Sequence, residues 1–218
     1  MITQLIPKGC NRRPGIPMIP KYLTIHSTGN PLSTAKNEAD NVTKNNLDKK
    51  VSFHFVVDAI SIYQTLPTNE MGWHAGDGMG NGNRESIGIE ICESGDRLNA
   101  LKNAIILVQN LLKEFGDLEI VQHNYWSGKN CPRILRDPAF VKNGLNWDWF
   151  LAQVHDKKEK EVEEVIYKTF RDIPVYAAPT IKKLMDKKVI VGDAQGLINL
   201  SDDMVRIFVV HDRLGIYK

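Results

Sequence analysis

Short apolar runs in the first half of the chain have the length and composition of β-strands. They are rich in β-branched and aromatic residues, and proline, glycine or asparagine bounds them. The predicted strands cover residues 22–26, 51–58, 60–66, 86–92 and 118–122. Because only Ala59 separates the second run from the third, we predict a hairpin that turns near Asp58 and Ala59.

Two segments between the predicted strands have the periodicity of amphipathic helices. In the longer one, apolar residues recur at steps of three and four, and Gly116 follows them as a residue suited to a left-handed C-terminal cap. These apolar positions are Leu98, Leu101, Ile105, Val108, Leu112 and Phe115. A weaker helix is predicted over 33–48, with Ser33 as its N-cap. We interpret the apolar face of the longer helix as part of the core.

Glu90 interrupts one of the apolar strands. Alternation along a strand sends Ile87, Ile89 and Ile91 to one face and Glu90 with Cys92 to the other. An exposed strand carboxylate or a buried ion-pair partner is the ordinary interpretation of such a residue. A catalytic carboxylate is the alternative.

The composition changes abruptly after residue 154. A run of alternating charges begins at Asp156, and such a run is typical of a solvated linker or helix face. We therefore predict a domain over 1–154, a charged linker or linker helix over 155–175 and a small, partly helical C-terminal module over 176–218.

Two helices are predicted in the C-terminal module. The first follows Pro179, and Ser201 is the expected N-cap of the second, with Leu200 and Val205 as a hydrophobic staple. The apolar faces comprise Ile181, Leu184, Met185 and Val189 in the first helix and Met204, Phe208 and Val209 in the second. Because so small a module is marginally stable alone, we expect packing on the rest of the chain or a homodimer that buries the second face.

The overall composition gives no indication of a nucleic-acid-binding, disulfide-rich or membrane-spanning protein. The chain has 218 residues, 42% hydrophobic and 25% charged, with a formal net charge of only +2. Such a balance gives no indication of a nucleic-acid partner. The three cysteines are few and widely spaced, which argues against a disulfide framework and fits a reducing cytoplasm. The sequence shows neither a signal-peptide h-region nor the roughly 18 apolar residues of a membrane span.

His26, His123 and Cys131 are candidate metal ligands. Each histidine closes a predicted strand, and Cys131 follows His123 by eight residues. Imidazole nitrogen and thiolate together suit tetrahedral Zn²⁺, and three protein ligands leave one position open for catalysis. The sequence lacks the short CxxC or HxxxH spacings, so spacing alone leaves open whether these are zinc ligands or scattered structural residues.

The segments around these residues favour the zinc interpretation. They read IHST from Ile25, FHFVVD from Phe53, GWHAG from Gly72, IGIEIC from Ile87, QH from Gln122 and KNCP from Lys129. In this order and spacing, the motifs resemble those of the zinc-dependent N-acetylmuramoyl-L-alanine amidases of type 2, a family that includes phage endolysins and bacterial autolysins. The peptidoglycan recognition proteins are distant relatives. The resemblance covers about residues 1–154.

The resemblance implies an α/β fold with a mixed central β-sheet flanked by helices. It implies hydrolysis of the bond that joins the lactyl group of N-acetylmuramic acid to L-alanine of the stem peptide in bacterial peptidoglycan. By their matching positions, His26, His123 and Cys131 are the implied ligands of Zn²⁺.

One position departs from the family pattern. Many relatives have a catalytic tyrosine where this chain has Phe53, which cannot donate or accept a proton. Members with this change tend to have a glutamate in the Ile-Gly-Ile-Glu strand, so we predict that acid-base chemistry is carried by Glu90. Lys129 lies two residues before Cys131, and we predict that its ammonium group stabilises the oxyanion. A solvated loop lysine is the alternative.

Four further residues belong to motifs that line the cleft in this family. We predict Phe53, His54, Trp73 and His74 as substrate-contacting residues. For the two histidines, hydrogen bonding to a metal ligand or a structural role is the alternative, and for Trp73 it is core packing. The glycine-rich run over 76–83 lacks the ending of a phosphate-binding loop, and we interpret it as a mobile rim of the cleft.

The C-terminal module resembles the corresponding region of some endolysin amidases and, more loosely, one S-layer homology motif. That likeness implies attachment to a cell-wall polymer. We therefore expect a phage or prophage endolysin that is made in the cytoplasm without a signal peptide and reaches the wall through a holin pore or lysis. A cytoplasmic amidase that recycles muropeptides and a recognition protein that binds without cleaving are the alternatives.

Overall fold

The computed structural model describes residues 1–156 and 165–217. The chain divides into two compact units, Met1–Asp156 and Lys157–Lys218. Most of the charged run predicted as the start of a linker lies outside the described residues. No described helix is both long and apolar enough to cross a membrane.

A six-stranded mixed sheet forms the centre of the first unit. Its strands are β1 (Ile2–Thr3), β2 (Tyr22–Ser27), β3 (Phe55–Val57), β4 (Ile62–Gln64), β5 (Ser86–Ile91) and β6 (Glu119–Gln122). They lie in the order β1-β4-β3-β5-β2-β6, and only β3 and β4 pair antiparallel. The five predicted strands and the mixed sheet are confirmed, although several strands are shorter than predicted. The two-residue β1 was not predicted, because so short a run has no detectable period.

The hairpin between β3 and β4 forms where the sequence predicts it. The Oδ1 atom of Asp58 accepts hydrogen bonds from the backbone N–H groups of Ile60 (2.8 Å) and Ser61 (2.7 Å), which closes the turn. Its Oδ2 atom accepts from the N–H of Ala35 at 2.8 Å, at the start of α1 (Ala35–Lys44). One aspartate therefore fixes both the hairpin and the helix that packs beside it.

Helices cover both faces of the sheet. They are α1, α2 (Asn81–Arg84), α3 (Arg97–Phe115), α4 (His123–Ser127), α5 (Arg133–Arg136) and α6 (Trp147–His155). On one face, the isoleucines of β5 pack with α3, α5 and α6 in the main core. On the other, α1 packs with Phe53, Val56 and Cys92. Glu90 lies on this second face, as the predicted alternation requires.

The helix caps differ from two of the predictions. Thr34, not Ser33, is the N-cap of α1, since its hydroxyl accepts a hydrogen bond from the N–H of Asn37. The Ser33 prediction is wrong because that residue is buried, and its carbonyl accepts from the Ser94 hydroxyl. Gly116 does end α3 with a positive φ of 83°, but its ψ of −148° lies outside the left-handed helical region.

The second unit has its own small core. A ribbon of β7 (Ile166–Tyr167) and β8 (Leu200–Ser201) lies with a 3₁₀ turn (Phe170–Asp172) and the helices α7 (Ala178–Asp186) and α8 (Asp202–Arg213). β7 and the 3₁₀ turn lie within residues 155–175, which the sequence analysis assigned to the linker.

The predicted N-cap of α8 is confirmed, because the Ser201 hydroxyl accepts from the N–H of Met204 at 3.3 Å. Val189 was wrongly included in the preceding helical face, since it follows the end of α7 and is 63% exposed. Val209 is only 5% exposed, because it packs within the core of its own unit. It therefore offers no surface for the predicted dimer contact.

Candidate metal centre and active site

Three parallel strands bring the two candidate histidines together. β2 lies between β5 and β6, so residues near the carboxyl ends of these strands meet at one edge of the sheet. His26 is the penultimate residue of β2, and His123 directly follows β6 as the first residue of α4. Both side chains are buried.

Two sets of contacts hold Cys131 beside the histidines. The backbone N–H of Ser27 donates a hydrogen bond to Sγ of Cys131 at 3.4 Å. Two residues later, Arg133 donates to both carboxylate oxygens of Glu93 (2.6 to 3.1 Å) and to the carbonyl of Gly29 (3.0 Å). Through Gly29 and Glu93, the loops after β2 and β5 are hydrogen-bonded to the segment that contains Cys131.

The donor atoms of these three residues converge. Nδ1 of His26 lies 2.9 Å from Nδ1 of His123 and 3.9 Å from Sγ of Cys131. One donor atom from each residue lies within 4.8 Å of the other two. Two imidazole nitrogens and one thiolate are the donors of a catalytic zinc site. The residues present therefore fit the ion that the sequence analysis predicted.

His74 fixes which nitrogen of His26 is free to bind a metal. Nε2 of His74 lies 3.1 Å from the carbonyl of Ser86, which can only accept, so the proton is on this nitrogen. Nδ1 of His74 must then accept, and it lies 3.1 Å from Nε2 of His26. His26 therefore carries its proton on Nε2, and the lone pair of its Nδ1 points at His123 and Cys131.

The absence of a side chain at Gly88 makes this arrangement possible. A Cβ atom at this position of β5 would lie 2.7 Å from the His74 ring, closer than real Cβ contacts come. The ring of His74 consequently packs directly against the strand and reaches His26.

Burial favours the uncharged forms of the histidines. It lowers the pKa of His26 well below its ordinary value, that of His123 to about 4 and that of His74 to about 3. Burial also raises the pKa of Cys131 to about 12. A divalent cation among these donors would favour the thiolate, because opposite charge lowers the pKa of an acid.

Glu90 lies directly beside the donor cluster. It pairs in register with His26 across β2 and β5, and its Oε1 atom is 3.9 Å from Nδ1 of His26. Its Oε2 atom is buried with no hydrogen-bond partner among the described residues. Burial raises the pKa of Glu90 to about 8, and Glu38 adds to the effect. A carboxyl group so placed can exchange protons with a water molecule at the centre.

Lys129 lies on the exposed loop before Cys131. Its charge contributes to the lowered pKa values of His26 and His123 and opposes the rise in the pKa of Glu90. Its backbone carbonyl accepts hydrogen bonds from the Asn124 side chain and the Cys131 N–H. The loop is therefore held while the ammonium group influences the centre.

A cavity of about 300 Å³ opens next to Glu90. Phe53 is one of its lining residues, and contact of Phe53 with substrate stays a prediction. The remaining lining residues are Arg12, Thr28, Glu38, Asn41, Val42, Asn46, Lys49 and Val51. Sequence reasoning missed Arg12, because its hydrogen bonds go to backbone carbonyls, which leave no signal in the sequence.

The contacts of His54 support the structural role that the sequence analysis gave as the alternative to a substrate contact. Its ring is fully buried. Nε2 lies 2.8 Å from the carbonyl of Glu70, and Nδ1 accepts from the N–H of Gly88 at 2.9 Å. Both ring nitrogens are occupied, so neither is available to a substrate. His74 is likewise occupied on both nitrogens, which supports the alternative of hydrogen bonding to a metal ligand.

Trp73 is half-buried, and the glycine-rich segment combines exposed residues with the buried Gly82 and Asn83. The Nζ atom of Lys50 is 5.4 Å from the centre of the Trp73 ring. The side chain of Asn83 accepts from the N–H groups of His74 and Ala75, and Asp77 accepts from that of Gly82. The segment over 76–83 therefore contains α2 and is held by these hydrogen bonds, and its mobility stays a prediction.

The sequence profile of the N-acetylmuramoyl-L-alanine amidases (Amidase_2) matches residues 16–134, which include the donor cluster and Glu90. The chain belongs to this amidase family. The amidase XlyA of Bacillus subtilis (strain 168) is 47% identical over 158 residues, or 71% of this chain and 50% of that protein. The amidase CwlA of Bacillus sp is 32% identical over 213 residues, or 84% of this chain and 81% of that protein.

Solved structures of similar sequence have the same fold. The catalytic domain of XlyA superposes with a TM-score of 0.64 at 46% identity, over 70% of this chain and 97% of that one. PlyL superposes with a TM-score of 0.61 at 34% identity, over 71% of this chain and 96% of that one. The chain spans about half the length of the curated relatives XlyA and CwlH, 50% and 57% respectively.

Proposed function

We propose that this chain is a zinc-dependent amidase of bacterial peptidoglycan, which cleaves between the lactyl group of N-acetylmuramic acid and L-alanine. The observation that carries the proposal is the convergence of His26, His123 and Cys131 beside Glu90, within a fold shared with amidases. A recognition protein that only binds has no need of a complete donor set with an adjacent carboxylate.

The residues of the centre divide the chemistry among them. His26, His123 and Cys131 would hold the zinc ion, which when bound supplies Lewis acidity to the scissile carbonyl and the attacking water. Glu90 takes a proton from the water as its oxygen attacks the carbonyl carbon. Glu90 then returns a proton to the nitrogen of L-alanine as the carbon–nitrogen bond breaks. The products are a free lactyl carboxylate and a free amino group.

Lys129 is the proposed partner of the negative charge that develops on the carbonyl oxygen. Its position on the loop two residues before Cys131, held by hydrogen bonds from Asn124 and Cys131 to its carbonyl, supports this proposal. A preorganised cation near a developing oxyanion lowers the barrier without new solvent reorganisation.

Analysis of the cleavage products tests this reaction. Purified sacculi treated with the protein should release new L-alanine amino groups without new reducing sugar ends. Activity should disappear with a chelator and return with zinc. Turnover of soluble muropeptides but not of intact sacculi would favour a recycling amidase, and binding without turnover would favour a recognition protein.

His74 is expected to support zinc binding without being a ligand. His74→Ala removes the acceptor that keeps the proton on Nε2 of His26, so Nδ1 is no longer held as a lone pair toward the metal. Loss of such an outer hydrogen bond typically costs roughly 10- to 100-fold in metal affinity. Competition with a zinc indicator measures the change. His211→Ala, in the second unit, is the control and should bind zinc like the wild type.

The second unit is proposed as a module that binds a cell-wall polymer. The first unit ends at Asp156, after every candidate site residue, and the XlyA catalytic domain is itself a separate structure of comparable extent. A shortened chain over 1–156 should therefore cleave soluble muropeptides within about 2-fold of the full chain. On intact walls it should be roughly 10-fold slower or more, because the module raises the effective concentration at an insoluble substrate. If the shortened chain and the full chain cleave intact walls at equal rates, the second unit has no targeting role.

The proposed setting is lysis by a phage or prophage. A mutant endolysin from Bacillus subtilis is among the solved structures that share this fold, at 47% identity. The proposal predicts synthesis in the cytoplasm and access to the wall only after a holin or lysis opens the membrane. A holin gene beside the coding sequence would support this setting.

A further inference from the structure

Arg12 is a buried cation that forms no ion pair with a carboxylate of the described residues, although the charge of Asp48 acts on it. Its side chain is only 3% exposed, and two of its five N–H donors reach the backbone carbonyls of Asn46 (3.0 Å) and Val51 (2.6 Å). The neighbouring Arg13, in contrast, forms a bidentate ion pair with Glu70 at 2.7 Å. Burying an unpaired charge is costly, so the position of Arg12 indicates an anionic ligand.

Arg12 lines the cavity that Glu90 also lines. Lys49 lines the same cavity, and its backbone N–H donates to the Asn46 carbonyl that Arg12 also contacts. Arg12 and Lys49 therefore belong to one end of the cavity, against the segment that follows α1.

The other end of the cavity is acidic. Glu38 lies in the first turn of α1, and its charge contributes to the raised pKa of Glu90. An anionic group of a ligand is repelled by the carboxylate of Glu38 and attracted by Arg12 and Lys49. A ligand that fits this polarity has its reacting amide at one end and a carboxylate a short distance away.

We propose that Arg12 and Lys49 bind the free α-carboxylate of the second stem residue, γ-linked D-glutamate, while the scissile amide lies beside Glu90. The inference rests on the proposed function for the identity of the ligand. A compact cavity of about 300 Å³ is about 7 Å across, and two extended residues span about 7 Å. The three remaining N–H donors of Arg12 can form charge-assisted hydrogen bonds with a carboxylate.

A matched pair of soluble substrates tests this inference. One muropeptide has D-glutamate with its free α-carboxylate, and the other has the carboxamide of D-isoglutamine at the same position. For the wild type, kcat/KM should be about 10- to 100-fold higher with the carboxylate, since a site built for a charged partner rejects a neutral analogue. Arg12→Gln and Lys49→Gln should each reduce this ratio. Lys44→Gln is the control, because Lys44 is exposed and lies outside the cavity lining.

Calorimetry with the two free stem peptides separates this inference from the proposed reaction. Tighter binding of the carboxylate form in the wild type, and weaker binding of it in Lys49→Gln, would support the inference. If neither muropeptide is cleaved while this binding difference is found, only the proposed reaction fails. Equal binding and equal kcat/KM for the two forms in the wild type would overturn the carboxylate site while cleavage still stands. Lys49 is exposed, so its substitution tests the site even if Arg12→Gln does not fold.

Discussion

Cys131→Ser should lose tightly bound zinc together with its activity on peptidoglycan. Sγ is the only thiolate donor of the cluster, and a neutral serine hydroxyl is a far poorer zinc ligand. We expect the affinity for zinc to fall by more than about 100-fold, beyond the loss typical of an outer hydrogen bond. Zinc per chain after gel filtration, measured with the rate of amino-group release from sacculi, gives both quantities.

Cys10→Ser is the matched control for this variant. Cys10 is also a free thiol, but it is absent from the donor cluster and lies against the carbonyl of Pro7. It should retain zinc and activity. Full zinc content and an undiminished rate in Cys131→Ser would refute the assignment of the ligand.

Glu90→Gln should fold and bind zinc while losing roughly 10²-fold or more in turnover. The amide keeps the size of the side chain but cannot accept and return a proton at the scissile bond. Because the carboxyl group is buried with one oxygen unpaired, the substitution should not lower thermal stability. Single-turnover rates on a soluble muropeptide, with zinc content determined on the same sample, measure the effect.

Glu119→Gln is the control for a strand glutamate outside the centre. Glu119 begins β6 and is exposed. Its substitution should leave turnover unchanged. If the turnover rate of Glu90→Gln is within a few-fold of the wild-type rate, Glu90 is a structural residue. The proposed reaction then has no general base.

The sequence could predict the features that depend on local periodicity. The alternation of β5 correctly separates Glu90 from the isoleucines of the main core. For the same reason, the sequence could predict the apolar face of α3 and the burial of Leu200 and Val205 at the start of α8. Ser33 was wrongly chosen as a cap because Ser33 and Thr34 are equally good candidates locally, and only burial against the neighbouring loop decides between them.

The finer organisation of the site depends on contacts that cross the sheet. No local pattern shows that His54 bonds the backbone of β5 while His74 reaches His26, since both histidines occupy family motifs. The requirement for glycine at position 88 follows from the His74 ring that packs against it, a contact between segments distant in the sequence. Arg12 was missed because its partners, Asn46 and Val51, are backbone carbonyls and leave no mark in the sequence.

The coordination of the metal is the most direct test of the central claim. Zinc X-ray absorption on the full chain should show one zinc ion with two nitrogen ligands at about 2.0 to 2.1 Å, one sulfur at about 2.3 Å and one further oxygen. The sulfur contribution should vanish in Cys131→Ser and persist in Cys10→Ser. A zinc ion bound without sulfur, or no zinc at all in active protein, would contradict the account.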